Sequence, residues 1–177
     1  FNLKFQGVAH DEIISLGQEL IICLYTPGHY YNSMCFWNKT NKALFTGDTI
    51  FVGRTGRTIS NRSNIKDLYN SVYNTILKLP GDTIIYPGHH YGYMKSITID
   101  ENIRCSKFFT SDSLDEFIQT MKNFESALSV SKKLYAMKID NENFEKIVSA
   151  SCKYKKQVDK ELFSLLKNSY RKQMRAL

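Results

Sequence analysis

The sequence predicts an α/β protein in which strands and helices are segregated along the chain. Residues 1–111 read as a β-rich segment and residues 112–177 as a helical extension. Three observations predict this. Short β-branched and aromatic runs, punctuated by Gly, Pro and Asn, fill the first ninety residues. One 3–4-spaced apolar run interrupts them. After Ser113 the apolar spacing is helical. A length of 177 residues fits one domain, or one domain with an appendage.

The elements follow in order. "EIISLGQELIICLY" (12–25) carries two β-rich runs broken at Leu16-Gly17, which predicts a hairpin. "SMCFW" (33–37) and "KALFTG" (42–47) are two further strands joined by the turn-like "NKTN". A helix fits 65–79, with Ile65, Leu68, Tyr69, Val72, Ile76 and Leu79 on one face. Asn64 is its predicted N-cap, and Pro80-Gly81 stops it. "DTIIY" (82–86) is a short apolar strand. Ser113-Leu-Asp-Glu116 is a capping box. It opens a helix expected to bury Leu114, Phe117, Ile118, Met121 and Leu128. A longer helical period runs from about Asn141 to Arg175.

Bulk composition excludes several classes. The chain is 42% apolar and 23% charged, with no run of eighteen apolar residues, so no transmembrane helix is expected. No secretory or transit signal is visible. The chain begins with Phe1 and not Met, and the expectation is a fragment or a processed product. Cys23, Cys35, Cys105 and Cys152 form no CxxC pair. That excludes a zinc ribbon or a thioredoxin-like motif and points to a reducing intracellular compartment, cytosol or organelle matrix. The net charge of +7 is concentrated between Lys153 and Arg175, where eight Lys/Arg face only Asp159 and Glu161. Such a tail can neutralise phosphates. Cations scattered round a helix are more often a solvated face, so nucleic acid is not the expected partner.

The chemistry-bearing residues are few. Of four histidines, two follow Pro-Gly at the end of an apolar run: His29 in "TPGH" and His89 in "YPGH". Between them "LFTGDT" delivers Asp48 after a glycine. Each alone also fits an ordinary turn residue. Together they are three strand ends, each carrying one side chain that Zn(II), Fe(II) or Mn(II) accepts. Strand ends are rigid enough for such a site. His10, in "AHDE", reads as a surface turn residue.

"TPGH", "LFTGDTIFVGRTGRT" and "DLYNSVYNTILKLPGDTIIYPGHHYG" resemble, in order and spacing, the metallo-β-lactamase superfamily, and within it the glyoxalase II and persulfide dioxygenase branch. "SITIDEN" (96–102) and "SLDEFIQTM" resemble segments that follow in the persulfide dioxygenase subgroup. The likeness covers roughly residues 10–140. It implies the C-terminal half of an αββα metallo-β-lactamase sandwich followed by a helical extension. It also implies one or two Zn or Fe ions per site, with His29 and Asp48 on the first metal. Asp48 would bridge to a second metal that His89 ligates. Arg57 and Tyr91 would line the substrate site for a glutathione-derived small molecule; a solvated loop cation and a sheet-packing ring are the plainer readings of those two.

The resemblance implies a hydrolase cleaving a glutathione thioester through a metal-activated hydroxide, with Asp48 the catalytic carboxylate. A mononuclear iron persulfide dioxygenase and a non-catalytic degenerate subunit are the alternatives. The family's HxHxDH motif is absent from these 177 residues. Competence therefore requires the N-terminal half of the fold, on the same polypeptide or another chain, and the isolated chain is expected to be inactive. A homodimer is compatible with the reading, and no membrane partner is expected. The sequence also departs from the family pattern at Tyr30, Asn32, Ile59 and His90, and at Cys105-Ser106. The basic tail has no counterpart in it.

Overall fold

The computed structural model describes residues 7–91 and 94–136. The helical period expected over 141–175 and the basic tail lie outside them. The chain separates into two compact units, Phe1–Leu114 and Asp115–Leu177.

The first unit is built on a six-stranded sheet. Strands β1 (Ile13–Leu16), β2 (Glu19–Tyr25), β3 (Met34–Asn38) and β4 (Ala43–Gly47) run as an antiparallel meander. The β1–β2 turn falls at the predicted position, and Gly17 takes the left-handed φ of 64° that the tight turn needs. A small hairpin follows, β5 (Ile50–Phe51) with β6 (Arg54–Thr55), pairing Ile50 with Thr55 and Phe51 with Arg54. The expected helix runs without a gap from Ile65 to Lys78, and we label it α1. Its first stretch is α-helical, Ser71–Thr75 widens into a π-type turn, and Ile76–Lys78 tightens to 3-10 geometry. The Asn64 side chain caps its start by accepting from the N–H groups of Lys66 and Asp67. Strand β7 (Ile84–Pro87) then lies parallel to β4, and β8 (Ile97–Thr98) completes the order β1-β2-β3-β4-β7-β8.

The β5–β6 hairpin, β8, helix α2 (Ile99–Cys105) and a 3-10 turn at Lys107–Phe109 escaped the sequence reading. The β5–β6 hairpin is only two residues per strand. Helix α2 is nucleated by a capping box, Thr98 with Glu101, which was legible as T-x-x-E but was not read. Helix α3 (Leu114–Ala136) begins where Ser113 was expected to start it. Its buried side chains are Phe117, Met121 and Phe124, while Leu114, Ile118 and Leu128 are only half-buried.

Register fixes the two faces of the sheet, because residues paired directly across strands share a face. One row is Ile22, Trp37, Leu44, Ile85 and Ile97. Leu44 and Ile85 in it are fully buried, as are Leu68, Val72 and Ile76 of α1. Complete burial of each such side chain contributes roughly 1.5–3 kcal/mol. The opposite face carries the row Cys23, Phe36, Phe45 and Tyr86. Phe45 and Tyr86 stack with ring centroids 5.6 Å apart, yet remain 49% and 41% exposed. Tyr25, on the same face, is exposed too.

Candidate functional site

Strand direction explains why the three candidate ligands share a neighbourhood. β3 is antiparallel to both β2 and β4, and β7 is parallel to β4. The carboxyl ends of β2, β4 and β7 therefore lie on one edge of the sheet. "PGH", "GD" and "PGH" are the turns that leave that edge, the place where open α/β sheets carry ligands.

Glycines let these turns close up. Gly28 has φ of 136°, and a Cβ there would lie 2.3 Å from the Leu68 backbone. Helix α1 docks on this turn: the Asn64 N–H donates to Gly28 O at 2.8 Å and the Ser71 hydroxyl to Pro27 O at 2.6 Å. The Gly88 N–H donates to Gly47 O at 2.7 Å, tying the second and third turns together. A Cβ on Gly88 would approach Asp48 Oδ1 to 3.0 Å. Gly56 packs closest: a Cβ there would meet Asp48 O at 2.1 Å and the His29 ring carbon at 2.9 Å. Beneath the turns, Thr26 Oγ1 contacts Cys35 Sγ at 3.2 Å and Thr49 Oγ1 at 3.4 Å. Burial pushes the Cys35 thiol up to about 11, against the hydrogen bonds of Thr26 and Thr49. It packs as an inert thiol and not as a ligand.

Asp48 stands between the two histidines. His29 Nε2 is 3.8 Å from Asp48 Oδ2, and His89 Nδ1 is 2.6 Å from Asp48 Oδ1. The first distance is longer than a hydrogen bond. It is shorter than the ~4.2 Å that two ligand bonds of about 2.1 Å can span. The second is a direct hydrogen bond. His29 Nδ1 lies 2.8 Å from the carbonyl oxygen of Arg57. A carbonyl only accepts, so Nδ1 carries the proton. In the neutral form of the ring, Nε2 is then the nitrogen with the free lone pair, 3.8 Å from Asp48 Oδ2. A backbone carbonyl that fixes the far nitrogen is the usual support of a metal-binding histidine. Among the described residues no three His, Cys, Asp or Glu side chains are grouped so that by themselves they could hold a metal ion. The donor types, two imidazoles and one carboxylate, do fit Zn(II) or Fe(II).

The other expected residues distribute differently. Arg57 reaches the site through its main chain, orienting His29, and its side chain is half-exposed. Tyr91 stacks on His89, centroids 5.2 Å apart and planes 22° off parallel. His10 accepts the Tyr25 N–H at 3.1 Å through Nδ1 and lies 3.5 Å from Asp11, extending the β1–β2 edge as a surface residue. The substituted Tyr30 bonds Arg62, and it also lies under that guanidinium at 5.7 Å.

Arg54 was missed. Its guanidinium lies 4.3 Å over the Tyr91 ring and 5.0 Å over Phe51. Burial pulls it down to about 10, with Arg57 pushing the same way and Tyr91 and Asp48 opposing. In the sequence it looked like one more cation in a Gly-rich loop.

Residues 9–89 match the family described as the metallo-beta-lactamase superfamily. The chain is 36% identical over 98 residues to a hydroxyacylglutathione hydrolase of Dictyostelium discoideum, covering 50% of this chain and 36% of that protein. It is 35% identical over 116 residues to the mitochondrial persulfide dioxygenase ETHE1 of Homo sapiens, covering 66% and 45%. The crystal structure of ETHE1 from Myxococcus xanthus superposes with a TM-score of 0.61 at 34% identity, covering 66% of this chain and 51% of that one. The chain thus spans between about a third and a half of the length of the relatives it matches.

Proposed function

From the match of residues 9–89 to the metallo-beta-lactamase superfamily, we propose that the chain is one half of a metal-dependent hydrolase acting on a glutathione thioester. His29, Asp48 and His89 hold the metal in this reading. The observation that carries it is the His29 ring: its Nδ1–H is committed to Arg57 O and its Nε2 faces Asp48. That hydrogen bond leaves Nε2 as the nitrogen available to a metal, the arrangement that metal-binding histidines use.

A bound Zn(II) or Fe(II) ion would supply Lewis acidity and bring the pKa of a bound water down toward about 7. The chain's own groups orient and neutralise. Asp48 would supply the negative charge, and His29 and His89 the imidazole nitrogens, that such a cation requires. Gly47 and Gly88 keep the Asp48 and His89 turns at contact distance. Arg57 and Tyr91 lie at the edge of the site, suited to the carboxylates and peptide face of a glutathione-derived substrate.

The site is completed by a further segment of the fold, on the same polypeptide or another. Support comes from the open aromatic face of the sheet, where Phe45, Tyr86 and Tyr25 are exposed. The relatives, about two to three times the length matched here, are consistent with it. A persulfide dioxygenase is the second reading, resting on the 35% identity over 116 residues with the human ETHE1 protein. Purifying the protein from its source decides between them. Thioester cleavage with bound zinc supports the hydrolase. One iron per chain with oxygen uptake on glutathione persulfide replaces it with the dioxygenase. Absence of both metal and activity overturns both and leaves the non-catalytic subunit.

A further inference from the structure

Three side chains outside the expected ligand set, Arg54, Tyr91 and Phe51, form a continuous stack that ends on His89. The Arg54 guanidinium lies 4.3 Å over Tyr91, and Tyr91 lies nearly parallel to His89 at 5.2 Å. Phe51, 3% exposed, backs them all: edge-on to Tyr91 at 5.1 Å, tilted against His89 at 6.4 Å, and under Arg54 at 5.0 Å. The far edge of the His89 ring is the Nδ1 that meets Asp48.

The hairpin that carries Phe51 and Arg54 is itself anchored. Asn102, buried in α2, accepts the Gly53 N–H at 2.7 Å and donates to Phe51 O at 2.9 Å. The Ser106 hydroxyl donates to Gly53 O at 2.8 Å. Gly53 takes φ of 78°, the left-handed conformation such a turn needs. Both polar groups of the turn glycine are therefore satisfied from one helix.

We propose that Arg54 is a positioning residue for His89: pinned by Asn102 and Ser106 through the hairpin, it clamps Tyr91, and Tyr91 sets the plane in which His89 meets Asp48. His89 needs such a device. Its side chain is 55% exposed, and it follows a glycine, so little else restricts its rotation. A planar guanidinium suits the task, since it stacks flat on an aromatic face and is more weakly hydrated than an ammonium. Lysine, a point charge on a flexible stem, does not stack in this way. The proposal rests on the reading that His89 and Asp48 belong to the functional site, but not on a metal being bound there.

The test is NMR of the 177-residue chain with labelled histidine, without added metal. In the wild type, ring contacts between Tyr91 and His89 and a proton shared between His89 Nδ1 and Asp48 are expected. Arg54→Met, which keeps the stem and removes the guanidinium, should abolish the Tyr91–His89 contacts. It should also move the His89 nitrogen shifts to those of a free, solvated histidine. Arg54→Lys should restore neither, whereas a role limited to charge or packing would be rescued by it. Should Arg54→Met fail to fold, Arg54→Lys alone is read the same way, with the Gly53 amide as the marker of an intact hairpin. Unchanged His89 signals in a folded Arg54 variant overturn the proposal. A His89 that responds to Arg54 in a protein that takes up no metal leaves the clamp standing and removes the metal-dependent function instead.

Discussion

Gly56→Ala is the sharpest mutational test of how the site is packed. The new methyl carbon would sit 2.1 Å from Asp48 O, where anything under 3.0 Å forces a shift. The shortfall is about 0.9 Å against a backbone oxygen, and His29 Cβ and Cγ at 2.9 Å crowd the same methyl. Over-packing of this kind costs about 1–3 kcal/mol, and a backbone obstacle places it near the top of that range. With a urea slope of roughly 2 kcal/mol/M, the midpoint falls by about 1–1.5 M. Gly81→Ala is the matched control. Its methyl would meet Asp100 Oδ1 at 2.0 Å, an equally short contact, but with the end of a rotatable, exposed side chain. It should cost under about 0.5 kcal/mol, the range of ordinary surface substitutions. Urea unfolding followed by the single tryptophan, Trp37 on β3, reads both variants. If Gly56→Ala is no less stable than Gly81→Ala, close packing between the Asp48 turn and His29 is not what the geometry describes.

Other outcomes follow from the same structure. Asn102→Ala leaves the Gly53 N–H and Phe51 O without their partner inside the protein, at about 1–3 kcal/mol per group; a summed loss of about 2–6 kcal/mol in urea unfolding is expected, and a loss below about 1 kcal/mol would mean that water replaces the amide. Glu101 is held below its ordinary value by the Thr98 hydroxyl and N–H, and Asp82 by its bond to Lys42. For a carboxylate depressed on folding, the stabilisation is present above the unfolded value and disappears as pH falls through the lower folded one. Stability should therefore decline on the acid side, and Thr98→Ala should shrink that decline; an acid limb identical in Thr98→Ala would show that the capping box contributes nothing there.

The sequence disclosed what depends on local pattern. The hairpin at Gly17, the Asn64 cap and the 65–78 helix are each written in a few neighbouring residues, and the structure has them. His29, Asp48 and His89 were legible because each follows a glycine at a strand end. What the sequence did not show is whatever depends on tertiary contact. The His29 tautomer is set by the carbonyl of Arg57, 28 residues away, and no side-chain identity encodes that. Arg57 itself drew attention for its charge, yet it touches the site with its backbone. Arg54 looked like a loop cation because nothing local announces the Tyr91 and Phe51 rings beneath it. Asn102 lay inside a segment matched only by resemblance, and its link to Gly53 spans 49 residues. The two-residue strands β5 and β6 were too short for alternation to register.

Metal analysis of the source-purified protein beside its His29→Ala, Asp48→Ala and His89→Ala variants, and beside the 177-residue chain, tests the central claim most directly. The account predicts stoichiometric zinc or iron in the first, loss of at least one ion in each variant, and substoichiometric metal in the 177-residue chain. Equal metal in the wild type and all three variants would contradict it.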